Sequence, residues 1–130
     1  MIPRKAGHII NIGSSAGKEV YANGNVYCAT KHAVDALNKA MRIDLLANNI
    51  RVTAIHPGMV ETEFSFVRFE GDEERVKNKY QGIQTLHPND VAESIYWSAM
   101  RPDHVNINEI SIMPRVQASA TQVFREAVGS

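Results

Sequence analysis

Three short apolar runs alternate with two stretches of helical periodicity along the chain. Ile9, Ile10 and Ile12 form a β-branched run bounded by Gly7 and Gly13, which predicts a buried strand over residues 8–13. From residue 26 to about 47, Val26, Ala29, Ala33, Val34, Leu37, Ala40, Met41 and Leu45 recur at helical spacing, and Asn48 and Asn49 stop the helix. Residues 50–55, IRVTAI, read as a second strand closed by Pro57 and Gly58. Residues 59–87 are polar, acidic and aromatic, with a short helix expected around 72–80; they read equally as a lid and as a solvated connection. Pro88 and Asp90 open a helix over residues 91–100, with Val91, Ile95 and Ala99 on one face. Pro102 ends it, and residues 107–113 give a third strand before Pro114.

Strand, helix, strand, helix, strand in that order predicts an α/β fold with three parallel strands, βαβαβ. Right-handed crossovers running in one direction place both helices on the same face of the sheet, which leaves the other face uncovered. Residues 115–130 read as a tail that packs on a neighbouring subunit or frays.

Composition narrows the function classes. A hydrophobic content of 44% in 130 residues fits one small domain. Fourteen basic and fourteen acidic residues balance, so no broad basic field points to nucleic acid or to an anionic membrane. The expected partners are small molecules or copies of the chain itself. No apolar run approaches the ~18 residues of a membrane span, and the start MIPRKAGHII lacks a leader's apolar stretch, so a cytoplasmic setting is expected. Cys28 is the only cysteine, which excludes an internal disulfide; it reads as a small buried apolar side chain. His8, His32, His56, His87 and His104 lack paired ligand spacing, and no metal site is expected.

The chemistry concentrates between residues 14 and 31. Ser14 ends the first strand, a loop rich in Gly and Asn follows, and Tyr27 and Lys31 share one face of the first turns of the long helix. Oxidising an alcohol with a nicotinamide, or reducing a ketone, requires a proton donor or acceptor at the substrate oxygen and a second hydrogen bond to it. The Lys31 ammonium and the positive end of the helix dipole both favour a Tyr27 phenolate, and Ser14 supplies the second hydrogen bond. A Tyr and Lys four apart are also an ordinary exposed helix pair.

Taken together, GHIINIGSSAG, then VYCATKHAV with its Tyr-x-x-x-Lys, then IRVTAIHPGMVETEF with its Pro-Gly-x-Val-x-Thr loop, closely resemble the short-chain dehydrogenase/reductase family. FSFVRFEGDEE, HVNINEISIMP and QAS are similar to its NADP-dependent 3-hydroxy acid dehydrogenases, the branch acting on L-allo-threonine and serine. The resemblance implies a partial Rossmann-like fold and an enzyme that oxidises a 3-hydroxy acid or reduces the carbonyl, with NADP preferred over NAD. It implies that Ser14, Tyr27 and Lys31 are catalytic and that Ser14 orients the substrate oxygen. It places Tyr27, Lys31, Pro57, Gly58, Val60 and Thr62 against the nicotinamide and its ribose, and it sets Arg68 against a substrate carboxylate.

The family's Gly-rich turn, its adenine-ribose acceptor and its Asn-Asn-Ala-Gly segment have no counterpart in the sequence. The resemblance therefore assigns residues 1–114 to the carboxyl-terminal half of the family's domain, with a lid at about 59–87 and a tail at 115–130. It also implies homo-oligomers for the full-length form. Three readings stay open: a dehydrogenase represented by this half, probed by NADPH turnover; a truncated, non-catalytic fragment that keeps its subunit-association surfaces; and an independent small-ligand binder.

Overall fold

A computed structural model describes residues 1–126; the last four positions of the expected tail lie outside the described residues. Strands β1 (Gly7–Ile12), β2 (Ile50–Pro57) and β3 (Glu109–Ile112) form one parallel sheet in the order β1-β2-β3. Helix α1 (Asn25–Asp44) joins β1 to β2, and α2 (Glu63–Arg68), α3 (Glu73–Tyr80) and α4 (Pro88–Ala99) lie between β2 and β3. The architecture is α/β, a three-stranded parallel part of a Rossmann-like sheet.

β2 is the centre of the core. Val52, Ala54 and Ile55 are 0% exposed, which is why this strand is continuously apolar instead of alternating. α4 starts at Pro88, earlier than its periodicity suggests, because His87 and Asp90 form a capping box: the Asp90 carboxylate accepts from the His87 amide at 2.7 Å, and the His87 ring accepts from the Asn89 amide at 3.3 Å. α2 has too few turns to show a periodicity and is set by its Thr62 cap, whose hydroxyl accepts from the Phe64 amide.

The structure corrects the expected placement of the helices. Register puts Asn11, Ala54, His56 and Glu109 on one face of the sheet and His8, Arg51, Thr53 and Ile55 on the other. On the first face, Asn11 donates to Asn38 of α1 at 2.9 Å, and Lys18 bridges Asp35 of α1 to Glu109. On the second, the Arg51 guanidinium donates to the carbonyls of Ala99 and Arg101 at the end of α4, at 3.2 and 2.8 Å. The two long helices thus lie on opposite faces, and β2 is covered on both sides. Since the strands advance in one direction, the two crossovers are of opposite hand. The right-hand preference governs compact crossovers, whereas the β2-to-β3 connection carries two additional helices before α4.

Cover is thinner at the flanks: Ile12 of β1 is 46% exposed, and β1 and β3 are both edge strands among the described residues. Leu37 and Ile43 on α1 and Tyr96 and Trp97 on α4 also face outward. Among the described residues no helix is long and apolar enough to cross a membrane.

Residues 115–126 do not project away. The Phe124 amide donates to the Val116 carbonyl and the Glu126 amide to the Gly82 carbonyl, both at 2.8 Å, while the Arg125 guanidinium gathers the carbonyls of Asn78, Lys79 and Gln81 at the end of α3. This part of the tail folds back on its own chain instead of fraying or waiting for a neighbour.

Candidate functional site

Where β1 and β2 end, their loops diverge and open a cavity of about 750 Å³. This is the position at which open α/β sheets bind ligands. Ser14, Tyr27, Lys31, Pro57, Gly58, Val60, Thr62 and Arg68 all line it, so every site residue expected from the sequence meets in one place.

Ser14 leaves β1 in an extended conformation, and its Oγ accepts from the Ala16 amide at 3.1 Å, capping a 3₁₀ turn over Ser15–Gly17. The cap uses an acceptor lone pair and leaves the hydroxyl proton free to donate. Gly17 brings that turn onto α1: a Cβ at this position would lie 2.7 Å from the Lys31 carbonyl oxygen. The glycine therefore fixes how closely Ser14 approaches the Tyr27–Lys31 face.

Tyr27 and Lys31 are both half-buried in the first turns of α1. Lys31 Nζ lies 5.8 Å from the Tyr27 ring centroid and donates to the Ile12 carbonyl at 3.4 Å. The Tyr27 ring tilts against Phe64, with centroids 5.7 Å apart, and carries the Arg68 guanidinium 5.3 Å from its centre. Arg68 also donates to the Tyr21 hydroxyl at 3.2 Å.

The loop after β2 is held from the tail. Gln117, 6% exposed, accepts from the Met59 amide through Oε1 at 2.8 Å and donates through Nε2 to the Ser119 carbonyl at 3.1 Å. A Cβ on Gly58 would meet that Oε1 at 2.5 Å, so glycine is needed for the side chain to reach the loop. Thr62 caps α2 with its hydroxyl oxygen while still lining the cavity.

A charged cluster lies against the same loops, on the α1 face of the sheet. Lys18 Nζ is 2.9 Å from Asp35 and 2.7 Å from Glu109, and Lys39 closes on the other Asp35 oxygen at 2.7 Å. Burial pushes the Asp35 carboxyl up, but hydrogen bonds from Lys39 and Lys18 outweigh it and hold the group below its ordinary range. Lys18 shows the converse: burial pushes its ammonium down, but the hydrogen bonds to Glu109 and Asp35 outweigh it and hold the group above its ordinary value. His56, 0% exposed, is held below its ordinary value by burial and then by the Lys18 charge, against the pull of Asp35 and Glu109. Donor atoms of Asp35, His56 and Glu109 lie within 4.8 Å of one another, a grouping that could hold a cation; the Lys18 ammonium fills that role.

Sequence reasoning missed Gln117, whose contact spans 58 positions and follows only from the chain reversal of the tail. It also missed Lys79, Tyr21 and Phe64, whose residue types carry no signal until the lid is folded onto the cavity.

The family model for short chain dehydrogenase matches residues 1–72. Over 121 residues the chain is 49% identical to the NADP-dependent 3-hydroxy acid dehydrogenase YdfG of Escherichia coli (strain K12), covering 92% of this chain and 49% of that protein. A probable NADP-dependent dehydrogenase of Haemophilus influenzae is 44% identical, with 92% and 48% covered. Among solved structures, the closed form of a serine dehydrogenase complexed with NADP+ superposes with a TM-score of 0.89 at 46% identity, covering 98% of this chain and 52% of that one. The chain spans about half the length of the curated relatives it matches.

Proposed function

Because the chain belongs to the short-chain dehydrogenase/reductase family, we propose that it supplies the substrate and nicotinamide side of an NADP-dependent oxidoreductase acting on a 3-hydroxy acid such as L-allo-threonine or serine. The observation that carries this is the convergence of Ser14, Tyr27, Lys31, the Pro57–Gly58 loop and Arg68 on one cavity. On this reading residues 1–114 are the carboxyl-terminal half of the family's domain, with residues 59–87 as its lid.

The residues present suit the nicotinamide end of the cofactor. Gly58 keeps the loop wall free of a side chain, Pro57 and Val60 offer an apolar surface, and the Lys31 ammonium is a donor for ribose hydroxyls. When bound, NADP takes up or delivers the hydride. Tyr27 Oη receives the proton of the substrate hydroxyl on oxidation and returns one to the carbonyl oxygen on reduction. Ser14 Oγ–H donates to the same oxygen, where negative charge develops. Lys31 holds its ammonium 5.8 Å from the centre of the Tyr27 ring, and Arg68 holds the substrate carboxylate with two parallel N–H donors.

Mixing the purified chain with NADPH and a 3-keto acid tests this: absorbance of the reduced cofactor falls, and the fall disappears in Tyr27→Phe. A second reading, a non-catalytic fragment that keeps association surfaces, is favoured by the outward-facing Leu37, Ile43, Tyr96 and Trp97. Lack of turnover together with co-purification with a full-length relative selects that reading instead.

A further inference from the structure

Of the charged side chains lining the cavity, Lys31 and Arg68 serve the proposed reaction and Arg125 ties the tail to α3, which leaves Lys79 without a task. Lys79, at the end of α3, lines the same wall as Arg68 and is half-buried. Its ammonium donates to Ser65 Oγ at 2.8 Å, and that fully buried oxygen is also bonded to the Tyr80 hydroxyl. Arg68 and Lys79 lie at similar distances from the Phe69 ring, 6.0 and 5.8 Å, and Arg75, a third cation of the lid, lies against the same ring at 4.7 Å.

Neither Arg68 nor Lys79 is neutralised by a described residue. Every ion pair among the described residues involves Lys18, Lys39 or His56. The acidic residues beside these cations in sequence do not compensate them: Glu70, Asp72, Glu73 and Glu74 are exposed, and Asp72 is committed to capping α3. Burial pushes the Lys79 pKa down, and the Arg68 charge pushes it down further. A half-buried ammonium facing another cation is unfavourable until an anion arrives. One carboxylate satisfies the Arg68 fork. A compact ammonium at a separate point of the wall suits a second anionic group.

We propose that the cavity takes a 3-hydroxy acid bearing a second carboxylate, with Arg68 on one carboxylate and Lys79 on the other. The inference rests on the substrate reading above and names Lys79 as a specificity-determining residue for it. A purely structural Lys79, tying α3 to α2 through Ser65, would not discriminate between ligands of different charge.

The test is equilibrium binding followed by NMR shifts of the Ser65 and Tyr80 amides, with 3-hydroxyglutarate and 3-hydroxybutyrate as probes. The dicarboxylate is expected to bind about tenfold or more tightly, the gain of one charge-assisted contact. Lys79→Met should erase the difference and Lys79→Arg should restore most of it, while a dispersed amide spectrum shows that each variant is folded. Equal affinities in the unaltered chain, no saturable shift with either acid, or a preference that survives Lys79→Met would overturn the proposal. Binding with this preference but without NADPH turnover would refute the redox reading for this chain and leave the dicarboxylate site standing.

Discussion

Gln117→Leu is the sharpest probe of how the loop after β2 is held. Leucine nearly preserves volume but removes both hydrogen-bonding ends of a side chain that is 6% exposed. The Met59 amide loses its acceptor at 2.8 Å and the Ser119 carbonyl its donor at 3.1 Å. At about 1 kcal/mol for each bond lost from a largely buried site, the expected destabilisation is about 2 kcal/mol. With a urea m-value of about 1.5 kcal/mol/M for a chain of this size, the midpoint should drop by about 1.3 M. The effect should also be local. Met59 amide exchange should accelerate beyond the global change, whereas the Gly58 amide, which donates to the Ile112 carbonyl at 2.8 Å, should follow the global change alone. A midpoint shift under about 0.3 M, or equal acceleration at Met59 and Gly58, would refute the assignment of Gln117 as the tie between tail and loop.

Gly17→Ala should cost about 1–3 kcal/mol, because the new methyl would meet the Lys31 carbonyl oxygen at 2.7 Å and backbone must shift to admit it; a thermal melt unchanged from the parent would contradict this. Stability should fall in two stages on acidification. His56 and His8 both have lowered folded-state pKa values, so their contribution is intact above ~6.5 and is lost as pH falls below it. Asp35 and Glu109, also lowered, hold their contribution above ~4 to 4.5 and lose it below. A melting temperature that stays flat from pH 7 to 5 would contradict the first stage, and His56→Gln should flatten part of that slope.

The parts of the fold legible in the sequence are those set by local pattern. The β-branched run before Gly13 and the continuous apolar run of β2 carry their strand character in their residue types. The spacing from Val26 to Leu45 carries α1. The convergence of Ser14, Tyr27 and Lys31 on one cavity is legible because Ser14 and Tyr27 sit at element boundaries, where the direction of the chain fixes which end of the sheet they occupy, and Lys31 follows Tyr27 by one helical turn. The face occupied by α4 was not, since it depends on how Arg51 reaches the carbonyls of Ala99 and Arg101 across the sheet. Gln117 and Lys79 were hidden for a related reason: the tail and the lid are placed by tertiary contacts, with little pattern of their own. The cluster of Lys18, Asp35, His56 and Glu109 joins four separate segments, and no linear spacing announces it.

The covering of β2 on both faces by helices from opposite ends of the sequence sets an order of assembly. β1, α1 and β2 are contiguous and can associate with low loop-closure cost, while α4 and β3 must wait for residues 59–87 to be spanned. During that interval Thr53 and Ile55, fully buried in the finished structure, face solvent beside the unpaired edge of β2. The vulnerable species during synthesis is therefore the chain that has emerged past Pro57 but not yet past Ile112, and self-association at that stage would proceed through the edge that β3 later occupies.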